Sequence, residues 1–348
     1  MVVSRKLVTV RDSINALLKT EPRMGFSGST EKGWESWRTA FREQLLQNLG
    51  RFPDRVPLDA DIVETSKEDG YTREKVIFDS ERFASVPAYV LIPDDLEDGE
   101  RRPGILAAHG HGGGKDDVAG IARSKQDADR IRALNYDYGL ELVRRGYVVI
   151  APDWRAFGER EPDIDWVRTS RDKCNVSYLA FGYFGYHLLA LDIWDGMRTL
   201  DYLQSRHEVD PGRLGMAGLS FGGTMTTYLS ALDPRIRVAV ISGYISTVRG
   251  DALTDRGKGN TCGNQYSPSL LLYGDIPDVA GLIAPRPLLV EMGERDECFV
   301  IEDARSAFEH LSRIYRAAGV PERLELDVFP GAHAFSGAKA FDWFERWL

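Results

Sequence analysis

The stretch RLGMAGLSFGG, residues 213–223, runs directly into TMTTYLSAL, residues 224–232. An apolar run gives way to a serine set among glycines, and then to a segment with helical character. A strand that becomes a helix over so few residues is a tight turn. Side chains two positions before and two after Ser220 would collide there, which accounts for Gly218 and Gly222. The turn leaves the serine oxygen exposed above the carboxyl end of a strand. The helix N-terminus behind it favours developing negative charge. Gly-x-Ser-x-Gly alone is a weak signal; between strand and helix it is the pattern of an activated nucleophile.

Working outward, the chain alternates. GILAAHG (104–110), YVVIAPD (147–153), IRVAVISG (236–243), RPLLVEMG (286–293) and RLELDVFPG (323–331) read as strands. YDYGLELVRRG (136–146), LLALDIWDGMRTLDYLQ (188–204) and IEDARSAFEHLSRIYRAAG (301–319) read as helices. Nearly continuous apolar strands separated by helices predict a parallel sheet covered on both faces. REKVIFDS (73–80) and VPAYVLIP (86–93) add a hairpin upstream. The predicted class is α/β, with a mostly parallel eight-stranded sheet. Trp34, Trp37, Phe41, Leu45 and Leu49 form one helical stripe. Residues 1–59 are therefore expected to be a helical extension on a catalytic domain spanning 60–348. Residues 244–284, before the seventh strand, interrupt the alternation as an insertion near the site.

The formal net charge of −9 argues against a nucleic-acid backbone as partner. Three widely spaced cysteines, Cys174, Cys262 and Cys298, indicate neither a disulfide framework nor a zinc knuckle. The first residues show no signal peptide, so a cytoplasmic location is expected. CNVSYLAFGYFGYHLLAL (174–191) lacks Asp, Glu, Lys and Arg but carries Asn175, Ser177 and His187. A buried loop entering a core helix is predicted there, and no membrane span.

A serine hydroxyl needs a base. In a sheet of this kind the acid and the histidine follow the serine along the chain. That leaves His310, inside a helix, and His333 in FPGAHAF, just past the last strand. Context selects His333. For the acid, Asp296 follows a strand and a turn in PLLVEMGERD. Asp303 opens a helix and Asp327 lies inside a strand, while Asp251 and Asp255 in the insertion are the fallback. HGHGGG (109–114) follows the third strand, and its glycines let backbone N–H groups approach an oxyanion. The expected donors are the N–H of Phe221 and that of His111, with Gly112 as second choice. His109-x-His111 lacks further ligands at metal-site spacing, so no metal and no cofactor are expected.

HGHGGG, APDWRAFGER, GLSFGG, IAPRPLLVEMGERDECF and GAHAF, in this order, resemble the dienelactone hydrolase-like branch of the α/β-hydrolases. The likeness is greatest to its bacterial acetyl xylan esterase-like members. It runs from about residue 60 to the end. The resemblance implies an α/β-hydrolase fold and a serine esterase whose triad positions match Ser220, Asp296 and His333. Dienelactone hydrolases proper use a cysteine nucleophile; Ser220 in its place favours simple esters over lactones. The expected partner is a small-molecule ester.

Two other readings share the fold: a non-catalytic binding protein and a peptidase of the prolyl oligopeptidase type. The presence of Ser220, Asp296 and His333 speaks against the first. The short region before the sheet leaves no room for a propeller, against the second. Trp154, Tyr244 and the aromatic run Tyr178–Tyr186 are expected to crowd the mouth of the site as substrate contacts, giving a short-acyl preference.

Overall fold

The computed structural model describes residues 7–163, 166–167, 171–254 and 261–348, with nothing stated for the side chains of 251–252. Its centre is a nine-stranded sheet. The strands are β1 (Asp61–Lys67), β2 (Tyr71–Glu81), β3 (Ala84–Pro93), β4 (Arg102–Ala108), β5 (Val148–Pro152), β6 (Val209–Leu219), β7 (Ile236–Ser242), β8 (Leu288–Gly293) and β9 (Leu324–Phe329). Their spatial order is β1-β2-β3-β5-β4-β6-β7-β8-β9. β1, β2, β3 and β5 pair antiparallel, and every pair from β5 through β4 to β9 is parallel.

The sheet has one strand more than the eight predicted. β1 is an edge strand whose residues are nearly all exposed, so no apolar alternation marks it. It forms because its backbone pairs with β2, with Ile62 opposite Val76 and Lys67 opposite Thr72.

The two faces are legible along the parallel strands. Leu106, Ala108, Val148, Ile150, Ala239 and Ile241 belong to one apolar cluster. Their neighbours Ile105, Ala107, Val149, Ala151, Val238 and Val240 belong to the other. A period of two places successive side chains on opposite faces, so both must be roofed. Helices Leu188–Ser205, Phe221–Leu232 and Ile301–Ala317 cover the first face. Tyr138–Val143 and Ala340–Trp347 cover the second.

Helix Glu31–Leu49 joins the first layer. It buries Trp34, Phe41, Leu45 and Leu49, and Trp37 stacks on Phe41 at 5.4 Å. Arg38 and Arg42 donate to the carbonyls of Leu282 and Leu232 at 3.4 and 3.0 Å.

The segment from Cys174 differs from expectation. It is a helix, Lys173–Gly182, followed by a turn, and not a buried loop. Tyr183 and Phe184 stand 91% and 78% exposed. The core helix begins only at Leu188, and its residues through Ile193 are all buried. Among the described residues, no helix is long and apolar enough to cross a membrane.

Candidate active site

The turn at Ser220 is as tight as its glycines suggest. Ser220 has φ 62° and ψ −119°, a conformation most side chains avoid. A Cβ on Gly218 would lie 2.3 Å from the Gly222 carbonyl oxygen, and one on Gly222 would lie 1.9 Å from the Ala108 carbonyl oxygen. The Ser220 N–H donates to the Ser242 carbonyl at 3.0 Å, which ties the elbow to the end of β7. Helix Phe221–Leu232, entirely buried, starts at the next residue.

His333 and Asp296 meet. His333 Nδ1 and Asp296 Oδ2 are 2.8 Å apart. The other oxygen, Oδ1, accepts from the N–H groups of Cys298 and Phe299 at 2.7 and 3.0 Å. A carboxylate only accepts, so His333 presents an N–H at Nδ1, and in the neutral imidazole the lone pair is then on Nε2. Ser220 and His333 line one cavity of about 420 Å³, together with His111, Cys262, Gln265 and Phe299.

His310 also meets an aspartate, with Nε2 2.8 Å from Asp278 Oδ1. Its other nitrogen is taken by Arg313 Nη2, at 2.8 Å. With both nitrogens engaged, it has no lone pair to offer a hydroxyl. Asp303 sits in the first turn of its helix, and Asp327 bonds the Ser336 hydroxyl at 2.6 Å. Asp255 and the side chain of Asp251 lie outside the described residues.

The glycine-rich loop runs against the elbow: a Cβ on Gly110 would be 3.1 Å from that of Ser220. Among the described residues, the N–H groups of His111 and Phe221 donate to no other group. The loop is pinned beyond them. Gly113 N–H donates to Asp117 at 2.6 Å, and the buried Lys115 ammonium sits 2.7 Å from Asp153 Oδ2. Both ring nitrogens of His109 are engaged within the fold, Nδ1 with the Gly110 carbonyl at 2.8 Å and Nε2 with the Trp154 N–H at 3.1 Å. His109 is fully buried and is kept neutral by burial, which lowers its pKa.

The expected substrate contacts need correction. The Trp154 side chain is 0% exposed and does not line the Ser220 cavity; burial against the sheet and His109 accounts for it. Tyr244 is buried behind Phe299, ring centroids 5.9 Å apart, and lines a neighbouring cavity of about 280 Å³. Phe299 lines both cavities, with its ring 5.9 Å from that of His333. The aromatic run is placed elsewhere too: Phe181, Phe184 and Tyr186 line a separate cavity beside Arg155 and Trp166.

Several residues at the site were not singled out in the sequence. Gln265 and Cys262 come from the insertion, whose Gln265 side chain donates to Thr224 at 3.0 Å. Hydrogen bonding with the Cys174 thiol is the main influence drawing the Cys262 thiol below its ordinary value, with His111 adding to it. Glu291 is a charge inside an apolar strand, and that was its visible signal. It is fully buried and accepts from the N–H groups of Ser336 and Gly337 at 3.2 and 3.0 Å, holding the loop that carries His333. Burial pushes its carboxyl up to about 7. Between its ordinary value near 4.5 and about 7, the folded chain holds a proton that the unfolded chain has released. Its stabilising contribution is thus full below the lower value and lost as pH rises through the upper one. Denaturant unfolding across this window should show Glu291→Gln gaining on the parent as pH rises, by up to about 3 kcal/mol. A gap that does not change with pH would place the proton elsewhere.

A family model described as the Abhydrolase family matches residues 3–335. The chain belongs to that family. It is 28% identical over 315 residues to YtaP of Bacillus subtilis (strain 168), assigned as a hydrolase, covering 89% of this chain and 100% of that one. Among solved structures it resembles one from Bacteroides fragilis NCTC 9343, assigned as an acetyl xylan esterase. The TM-score is 0.77 at 21% identity, over 93% of this chain and 83% of that one. It also resembles a glucuronoyl esterase from Solibacter usitatus, with a TM-score of 0.64 at 17% identity, over 94% and 96% of the two chains. At these identities the structural likenesses establish the shared fold, an α/β sheet with helices on both faces.

Proposed function

We propose that this protein is a serine-dependent carboxylic ester hydrolase that cleaves small, short-acyl esters through an acyl-enzyme. The reading is carried by one observation: His333, held by Asp296 at 2.8 Å, shares a cavity with an elbow serine. His333 Nε2 takes the Ser220 proton as Oγ attacks the ester carbonyl. Asp296 keeps the imidazole in that tautomer and stabilises its charged form. The N–H groups of His111 and Phe221 receive the oxyanion. The alcohol leaves with the proton from His333, and water activated by the same nitrogen frees the acid. Names of relatives in the fold include acetyl xylan and glucuronoyl esterases, which makes sugar esters the first natural substrates to try, acetylated sugars foremost. We also read residues 1–59 as an extension packed on a catalytic domain of residues 60–348.

The acyl preference rests on Phe299, 9% exposed, rather than on Trp154. Its ring stands where the catalytic cavity adjoins the apolar one. Overpacking opposes longer chains in the parent. Along a nitrophenyl ester series, kcat/KM should be highest for acetate and propionate and fall toward octanoate. Phe299→Ala should join the two cavities and move the optimum to longer chains, with a gain of up to about fourfold per added methylene. A parent profile that climbs steadily to octanoate would refute the crowded acyl site.

A further inference from the structure

We propose that His111, Cys262 and Cys174 form a binding site for a thiophilic divalent cation such as Zn²⁺, and that filling it inhibits turnover. Only the inhibition rests on the esterase reading; the binding does not.

The three residues come from separate parts of the chain, and the fold converges them. His111 Nε2 is 3.2 Å from Cys262 Sγ. Nε2 and the two sulfurs all lie within 4.8 Å of one another. Zinc bonds sulfur at about 2.3 Å and nitrogen at about 2.0 Å, so tetrahedral ligand atoms sit roughly 3.5–4 Å apart. Small side-chain rotations close that difference. One nitrogen and two sulfurs are also the donors that such ions prefer over Mg²⁺ or Ca²⁺.

The backbone holds the ligands in place. The Gly263 N–H donates to Asn175 Oδ1 at 2.8 Å, joining the turn after Cys262 to the helix after Cys174. Gly263 packs so closely that a Cβ would be 2.3 Å from that of Tyr178 and 2.9 Å from the Cys174 carbonyl. The His111 ring is braced by Phe157 and Phe221, with centroids 5.3 and 5.6 Å away.

Binding needs both thiols ionised, so two protons leave to solvent and two thiolates balance the dication. His111 and Cys262 both line the cavity that holds Ser220, so an ion bound to them lies at that cavity's wall. An ion there pulls on the residue whose N–H receives the oxyanion and occupies space the ester must enter.

The test starts from reduced, EDTA-treated protein, whose turnover should equal that of the untreated protein. Titration with Cd²⁺ should give an ultraviolet thiolate-to-metal band that saturates at one equivalent. Zn²⁺ should inhibit nitrophenyl acetate turnover, and EDTA should restore it. Cys174→Ser, checked for folding by circular dichroism, should retain turnover and lose both the band and the inhibition; Cys262→Ser, which alters the cavity wall, is read by the titration alone and should lose the band. Cys298→Ser should keep both band and inhibition. Asp296, Cys298 and His333 also cluster closely enough to hold an ion. Loss of band and inhibition in Cys298→Ser alone would put the metal on that group and overturn the proposal. Absence of a one-equivalent band would overturn the site itself, and a band without inhibition would overturn its regulatory role. Should the protein prove inactive on every ester, the Cd²⁺ titration still reads the site.

Discussion

Ser220→Ala is expected to lower ester turnover by roughly a millionfold while the fold survives. The estimate follows from what one oxygen does. Without Oγ no acyl-enzyme forms, and only the oxyanion donors and substrate positioning remain to assist direct attack by water. The fold should survive because the substitution removes one atom from a partly exposed side chain whose backbone bond to Ser242 is untouched. Alanine at φ 62° carries the same backbone strain that serine already bears. The measurement is kcat on nitrophenyl acetate, with circular dichroism and the thermal midpoint as controls. A fluorophosphonate should label the parent at Ser220 alone and the variant nowhere. Retention of most activity would remove Ser220 from the mechanism.

The second large effect is expected at the histidine and its acid. His333→Ala should approach the loss seen for Ser220→Ala, because the two act as one unit. Asp296→Asn should cost about ten thousandfold, since an amide that donates where the carboxylate accepted favours the wrong imidazole tautomer. His310→Ala is the informative control. His310 has an aspartate at the same 2.8 Å distance as His333. What differs is the other nitrogen, which in His310 is bound to Arg313. Asp278 also accepts from the N–H groups of Phe26 and Asp275, both at 2.9 Å, so the His310 pair serves to join segments. His310→Ala should therefore keep kcat/KM within about twofold and lower the denaturation midpoint modestly. Near-complete inactivation by His310→Ala with an active His333→Ala would reverse the assignment.

The reach of the sequence ends where distant segments meet. Gly218, Ser220 and Gly222 were readable because a strand-to-helix turn is a local event, and steric exclusion acts over two or three residues. The parallel strands were readable because burial on both faces writes itself into every residue of VVIAP or ILAA. β1 was not, because an exposed edge strand is specified by its partner's backbone rather than by its own side chains. The order of elements along the chain likewise singled out His333 and Asp296, while their 2.8 Å contact belongs to the folded chain. Aromatic character did not tell where Trp154, Tyr244 or Phe184 would point, since a ring is equally at home in the core, behind another ring or on the surface. Only the tertiary structure placed Trp154 in the core, Phe299 against His333, and Cys174, Cys262 and His111 within reach of one ion. Those contacts join residues tens to hundreds of positions apart, and packing alone, with no local periodicity to announce it, brings them together.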